Sequence, residues 1–162
     1  MTEAMVPIGE AENVADRTVL VVDDNQQNLE LLVAYLETLG CKVQTAGDGI
    51  EALEKVQSAP PDLILLDVMM PRMSGFEVCR KLKSDPRTRD IQVLMVTALN
   101  ELGDIERGVE SGTDDFISKP VSRIELTTRV RSLLRVRHLQ DELERTLEYL
   151  NQVEGRPAPG AP

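Results

Sequence analysis

Short unbroken apolar runs alternate along this chain with longer stretches whose apolar residues recur at three- and four-residue spacing. TVLVV (18–22), KVQTA (42–46), DLILL (62–66), IQVLMV (91–96) and DFIS (115–118) read as strands. Between them lie four helical patterns. The first carries Leu29, Leu32, Val33, Leu36 and Leu39 and stops at Gly40, and the second carries Ile50, Leu53 and Val56 and stops at Pro60-Pro61. Phe76, Cys79 and Leu82 mark the third, and Leu102, Ile105 and Val109 the fourth; a long fifth helix starts near Val121. Five strands alternating with five helices predict a parallel sheet covered on both faces, of the doubly wound α/β class. The near-continuous Val/Leu/Ile character of strands one, three and four fits burial on both sides. In such a sheet ligands bind beyond the C-terminal ends of the strands.

The 162 residues suffice for one domain with a hydrophobic core. Aromatic residues make up only 2% and there is no Trp, so the core is aliphatic. Cys41 and Cys79 form neither a disulfide framework nor a metal spacing and read as small apolar fillers in a reducing compartment. A net charge of −10 repels phosphate backbones and argues against direct DNA binding. No signal-peptide order opens the chain, and no apolar run approaches the ~20 residues of a membrane span, so a cytoplasmic location is predicted. Residues 1–17 lack periodicity and read as a disordered arm; GRPAPGAP (155–162) reads as a disordered tail.

Four strands deliver polar residues to the same rim. Asp23 and Asp24 follow strand one, Asp67 strand three, Thr97 strand four, and Lys119 with Pro120 strand five. Converging carboxylates repel unless a cation sits among them, and Mg²⁺ favours a few carboxylates with water and phosphate oxygens. Taken singly, each residue has an ordinary explanation: the aspartate pair as a helix cap, Thr97 as a turn residue, Lys119 as a surface charge. Their joint placement favours a site.

These residues stand in VLVVDDN (19–25), LILLDVMMPRMSG (63–75), VTA (96–98) and DDFISKP (114–120). Together the motifs resemble the receiver domain of two-component response regulators over residues 18 to 135. The resemblance implies a flavodoxin-like (βα)5 fold with sheet order 2-1-3-4-5 and, here, an extended C-terminal helix. It implies that Asp67 is the phosphoacceptor, taking its phosphoryl group from a phosphohistidine of a sensor histidine kinase or a histidine phosphotransfer protein. Asp24, Asp67 and the backbone carbonyl of Met69 are the implied Mg²⁺ ligands, with Asp23 holding the ion through water and Mn²⁺ able to substitute. Thr97 and Lys119 are implied to bind the phosphoryl oxygens and, with Asp67, to make up the catalytic set. Ala98 leaves room for the phosphate, and Lys119–Pro120 is implied to be a cis peptide. Met70, Pro71 and Gly75 match the loop after the acceptor. Phe116 matches an aromatic that moves inward on phosphorylation, and serves equally well as plain core.

Nothing interrupts the last helix from Val121 to Glu154. Its first half carries Ile124, Val130, Leu133 and Leu134 as core-facing residues among five arginines. In residues 136–154, Leu139, Leu143, Leu147, Leu150 and Val153 form a single apolar stripe, predicted to make a parallel or arm-exchanged homodimer. The face formed by the fourth and fifth helices is a second predicted dimer contact. His138, the lone histidine, reads as a surface residue. An aspartate-nucleophile phosphatase needs a second acid two residues after Asp67, where Met69 stands, so the chain is read as a switch rather than an enzyme. A degenerate receiver would lack an acid or the lysine, and none is missing. No output module fits after residue 136. The Pro/Gly tail favours a single-domain regulator over the alternative, the N-terminal receiver of a larger regulator with a cyclic-di-GMP or kinase output.

Overall fold

In a parallel strand buried on both sides, alternate residues serve opposite faces, and the strands here sort their side chains in that way. The computed structural model describes residues 14–98 and 102–154, apart from the side chains of 102–104. In chain order the elements are β1 (Thr18–Val22), α1 (Gln26–Glu37), β2 (Lys42–Ala46), α2 (Gly49–Ser58), β3 (Leu63–Asp67), α3 (Gly75–Ser84), β4 (Gln92–Thr97), α4 (Leu102–Ser111), β5 (Asp115–Ser118) and α5 (Arg123–Glu154). The strands pair in parallel in the order β2-β1-β3-β4-β5, which is the flavodoxin-like order that the sequence resemblance implied. Val19, Val21, Leu63, Leu65, Leu94 and Val96 pack toward α1 and α5. Leu20, Val22, Ile64, Leu66, Val93 and Met95 pack toward α2 and α3.

Short polar signals set where the helices begin. Asn25 caps α1 by accepting from the Asn28 N–H at 3.0 Å. Asp48 caps α2 through the Glu51 N–H at 2.8 Å, while the Glu51 carboxylate reaches back to the Gly47 N–H at 2.7 Å. Ser74 accepts from the Glu77 N–H and Ser122 from the Glu125 N–H, both at 3.3 Å, so two S-x-x-E stretches open α3 and α5. Gly40 takes the positive φ of 84° expected beyond a helix end.

Several residues sit elsewhere than the apolar pattern predicted. Ile124 is 71% exposed, and Leu126, Val130, Leu133 and Leu134 make the buried face of α5 instead. At 100° per residue, Ile124 projects away from the line that those four share. Ile50 lies outside the core, and Ala52 and Val56 pack inward from α2. Ile105 and Val109 of α4 also face outward, while Gly108 faces in; Leu102 lies outside the described side chains. β3 and β4 each run one residue further than read, so Asp67 and Thr97 are the last residues of their strands rather than the ones after.

The folded body also starts before residue 18. Val14 is buried in the α1/α5 layer, and Arg17 ties three segments together. Its guanidinium lies 2.9 Å from Asp62, at the start of β3, and 2.7 Å from Asp141 in α5. Arg137 stands near the same two carboxylates, at 3.6 and 3.7 Å. His138 is drawn in as well rather than lying on the open surface, with Nδ1 3.3 Å from Arg17 and Nε2 3.1 Å from Glu142. The clamp joins residues from three distant segments, so it left no local pattern in the sequence. Residues 1–13 and 155–162 lie outside the described residues.

At the β3–α3 junction, Gly75 donates its N–H to the Val68 carbonyl at 2.9 Å. A Cβ there would stand 2.4 Å from the Asp67 carbonyl oxygen and 2.9 Å from the Val68 Cα. Because the obstacle is backbone, Gly75→Ala is expected to cost about 1–3 kcal/mol in denaturant unfolding. Leu126→Ala should cost about 2–5 kcal/mol. Ile124→Ala, two residues away, should stay within about 0.5 kcal/mol of the parent in the same measurement.

Candidate functional site

The strand register brings the rim residues together. Asp67 ends β3 opposite Val96, and Thr97 ends β4 opposite Ser118, directly before Lys119. The Lys119 N–H donates to the Thr97 carbonyl at 2.8 Å, which fixes the lysine beside β4. Asp23 follows β1, its N–H donating to the Ala46 carbonyl at 3.2 Å and its Oδ1 accepting from the Asn25 N–H at 2.9 Å. The helix cap that the acidic pair suggested is therefore Asn25, which leaves both aspartates at the rim.

One oxygen from each of Asp23, Asp24 and Asp67 can be chosen so that all lie within 4.8 Å of one another. Asp23 and Asp67 are buried and Asp24 is exposed. Lys119 Nζ stands 3.4 Å from Asp67 Oδ1 and 3.7 Å from Asp23 Oδ2. Among the described residues, Lys119 is the ammonium paired with this cluster, and it meets Asp23 and Asp67. Burial, and then the neighbouring Asp23 charge, push the Asp67 carboxyl above its ordinary range; Lys119 and the Met69 N–H offset part of that. Asp23 Oδ2 is buried without a hydrogen-bond donor. Three clustered acids, one with a buried oxygen that accepts no hydrogen bond, make the donor set that a hard divalent cation takes.

The other predicted residues fall around this centre in different ways. Thr97 is buried at the strand end, and Ala98 beside it is exposed. The Lys119–Pro120 peptide is cis. Met69 is exposed and Met70 half-buried in the loop after Asp67, with Gly75 packed under the Asp67 backbone. Phe116 is half-buried, its ring resting on α4 so closely that a Cβ on Gly108 would meet Cζ at 2.1 Å. Gly108 is the residue that the sequence reading missed; a glycine inside a helical pattern was its only signal. Arg72, in the loop after Asp67, adopts φ 68° and reaches Asp48 at 3.3 Å, so the two loops flanking the site touch. On the other flank, a cleft of about 520 Å³ opens between α1 and the segment after β5, lined by Leu31, Tyr35, Lys119 and Pro120 among others.

Comparison with known proteins agrees with this arrangement. Residues 19–131 match the response regulator receiver domain family. The response regulator PleD of Caulobacter vibrioides is 52% identical over 125 residues, which cover 77% of this chain and 28% of PleD. The DNA-binding dual master transcriptional regulator RpaA of Synechocystis is 42% identical over 134 residues, covering 83% of this chain and 56% of RpaA. The chain thus spans well under two thirds of either relative. The signal receiver domain of a histidine kinase from Syntrophus aciditrophicus superposes with a TM-score of 0.70 at 38% identity, covering 74% of this chain and 90% of that one. With its sheet order, its acidic rim and the match across most of its length, the chain belongs to the family of response regulator receiver domains.

Proposed function

We propose that Asp67 accepts a phosphoryl group from a phosphohistidine on a sensor kinase or phosphotransfer protein. The observation that carries this reading is the buried Asp67 carboxylate facing Lys119 within the three-acid cluster. Asp24, Asp67 and the Met69 carbonyl would hold Mg²⁺, or Mn²⁺ in its place, with Asp23 acting through water. Bound there, the ion offsets the repulsion between carboxylate and phosphate. An Asp67 oxygen attacks phosphorus, the P–N bond to the donor imidazole breaks, and the imidazole leaves with the bonding pair. Lys119 and the Thr97 hydroxyl hold the phosphoryl oxygens, and Ala98 leaves them space. Water later hydrolyses the acyl phosphate, so the domain acts on itself and turns over no free metabolite.

Phosphorylation adds charge at one rim. Thr97 turning toward it frees volume behind, and Phe116 on its Gly108 seat is the nearby ring that can shift. The α4 and α5 faces then change, and we assign a second copy of the chain to them and to the C-terminal part of α5. The cleft beside Lys119 suits the segment of the phosphodonor that carries its histidine. Nucleic acid has no place among the direct partners of so acidic a body; the DNA binding in RpaA's name is that protein's. No helix among the described residues is long and apolar enough to cross a membrane. We place the chain in the cytoplasm, where kinase and Mg²⁺ are both supplied. A second reading, the receiver of a longer regulator, draws support from the chain's spanning only 28% of PleD.

Incubation with Mg²⁺ and acetyl phosphate should give a shifted band on a phosphate-affinity gel. Asp67→Asn or added chelator should abolish it, and a shift that survives Asp67→Asn would move the acceptor elsewhere. The raised Asp67 pKa fixes a second outcome. A carboxyl that is harder to ionise in the folded state contributes stability at low pH and loses it as pH rises through the folded pKa. In chelator at neutral pH, Asp67→Asn should therefore melt a few degrees above the parent, and the gap should close on acidification. A gap that widens with acid would contradict the sign.

A further inference from the structure

The long helix α5 changes character midway. Residues 123–137 hold five arginines against one glutamate, whereas residues 138–154 hold five acids against one arginine. α5 runs 32 residues, about 48 Å. It is tied to the body at Gln140, which meets Gln92, and at Asp141, which meets Arg17; Asp141 lies about 20 Å before the last residue of the helix. Along that stretch Leu143, Leu147, Leu150 and Val153 are between 43% and 62% exposed. The same stripe continues back over the body: Leu139 is 55% exposed, and Ser132, Thr128 and Ile124 lie exposed on the outer side of the first half. Ile124 and Val153 are separated by almost a whole number of turns and so share one face. The basic half therefore has a free outer track, small in its middle and apolar at its end, about as long as the acidic arm.

We infer that a second copy of this chain fills that track, with α5 packed antiparallel on α5 and each acidic arm lying along the basic half of its partner. With Leu139 near the two-fold axis, the partner's Leu150 falls over Thr128, the partner's Leu147 beside Ser132, and the partner's Val153 beside Ile124. The partner's Glu142 then stands next to Arg135. A parallel pairing of the same stripe instead sets Arg131 and Arg135 against their own copies, and acidic arm against acidic arm. Like charges at the seam cost what opposite charges gain, so the charge segregation selects the antiparallel arrangement. The two receiver bodies project away from the shared helices, leaving both acidic rims open. This pairing rests on the homodimer reading above but not on phosphoryl transfer, and it belongs to the unphosphorylated protein.

Cross-linking of the full chain without a phosphodonor tests it. Ser132 and Thr146 are exposed, and the antiparallel alignment sets one opposite the partner's other. The native cysteines are both buried and do not compete. Ser132→Cys and Thr146→Cys proteins carrying different tags, mixed and mildly oxidised, should give the mixed disulfide dimer as the main cross-linked product. Thr146→Cys alone should give almost none, because its two copies stand about 20 Å apart, beyond disulfide reach. Efficient self-linking of Thr146→Cys would overturn the arm exchange in favour of a parallel coil. A monomer in sedimentation equilibrium at micromolar concentration, with no mixed dimer, would overturn the pairing altogether. Either failure leaves the Asp67 phosphorylation assay unaffected.

Discussion

Three carboxylates held within 4.8 Å, with the Lys119 ammonium beside them, form an arrangement that works against folding. Each acid loses hydration as it enters the rim, and each raises the cost of ionising the next. Such a cluster persists only where the surrounding structure is strong enough to hold it. Here the support is the sheet, with aliphatic layers above and below and the acids placed at its edge. The Asp67 carboxylate leaves the last residue of a strand buried along its whole length. Gly75 presses against the backbone of that same residue, so the acceptor has little freedom to retreat into solvent. The repulsion that the fold sustains is what makes the rim receptive to a cation and then to a phosphoryl group.

Much of this was legible in the sequence because two periods run through it. Strands such as LILL and QVLMV are apolar throughout, and the residues that end them are chemically distinct, so the parallel sheet and its rim could be read together. Legibility failed where packing, rather than hydrophobicity, decides the outcome. Ile124, Ile50, Ile105 and Val109 are as apolar as their buried neighbours, but their angular position on the helix turns them outward. Gly108 earns its place through the Phe116 ring, a contact between residues on different elements that no local pattern announces. The Arg17 clamp depends on Asp62 and Asp141, far along the chain from it. Each charge is unremarkable until the fold has brought the three together.

The layering also divides labour between the helices. α1 and α5 share one core with alternate residues of the strands, and α2 and α3 share the other with the intervening residues. Since neighbouring strand residues belong to different layers, a strand cannot slide without disturbing both. That rigidity suits a rim whose residues must meet within hydrogen-bonding distance. At the margin, α4 touches the body through a glycine seat, and the Arg107 guanidinium stacks over Phe76 at 4.6 Å.

Mechanically, α5 is a rod clamped along its first half, where Leu126, Val130, Leu133 and Leu134 are buried. One end begins just past Lys119 and Pro120, beside the acidic rim, and the far end lies well beyond the opposite edge of the sheet. Between them the Arg17–Asp141 contact sits about 27 Å from the first residue and about 20 Å from the last. A rod so clamped moves with the core layer in which it is set. Any tilt of that layer reaches the far tip, about 20 Å past Asp141, as a displacement that grows with distance along the rod.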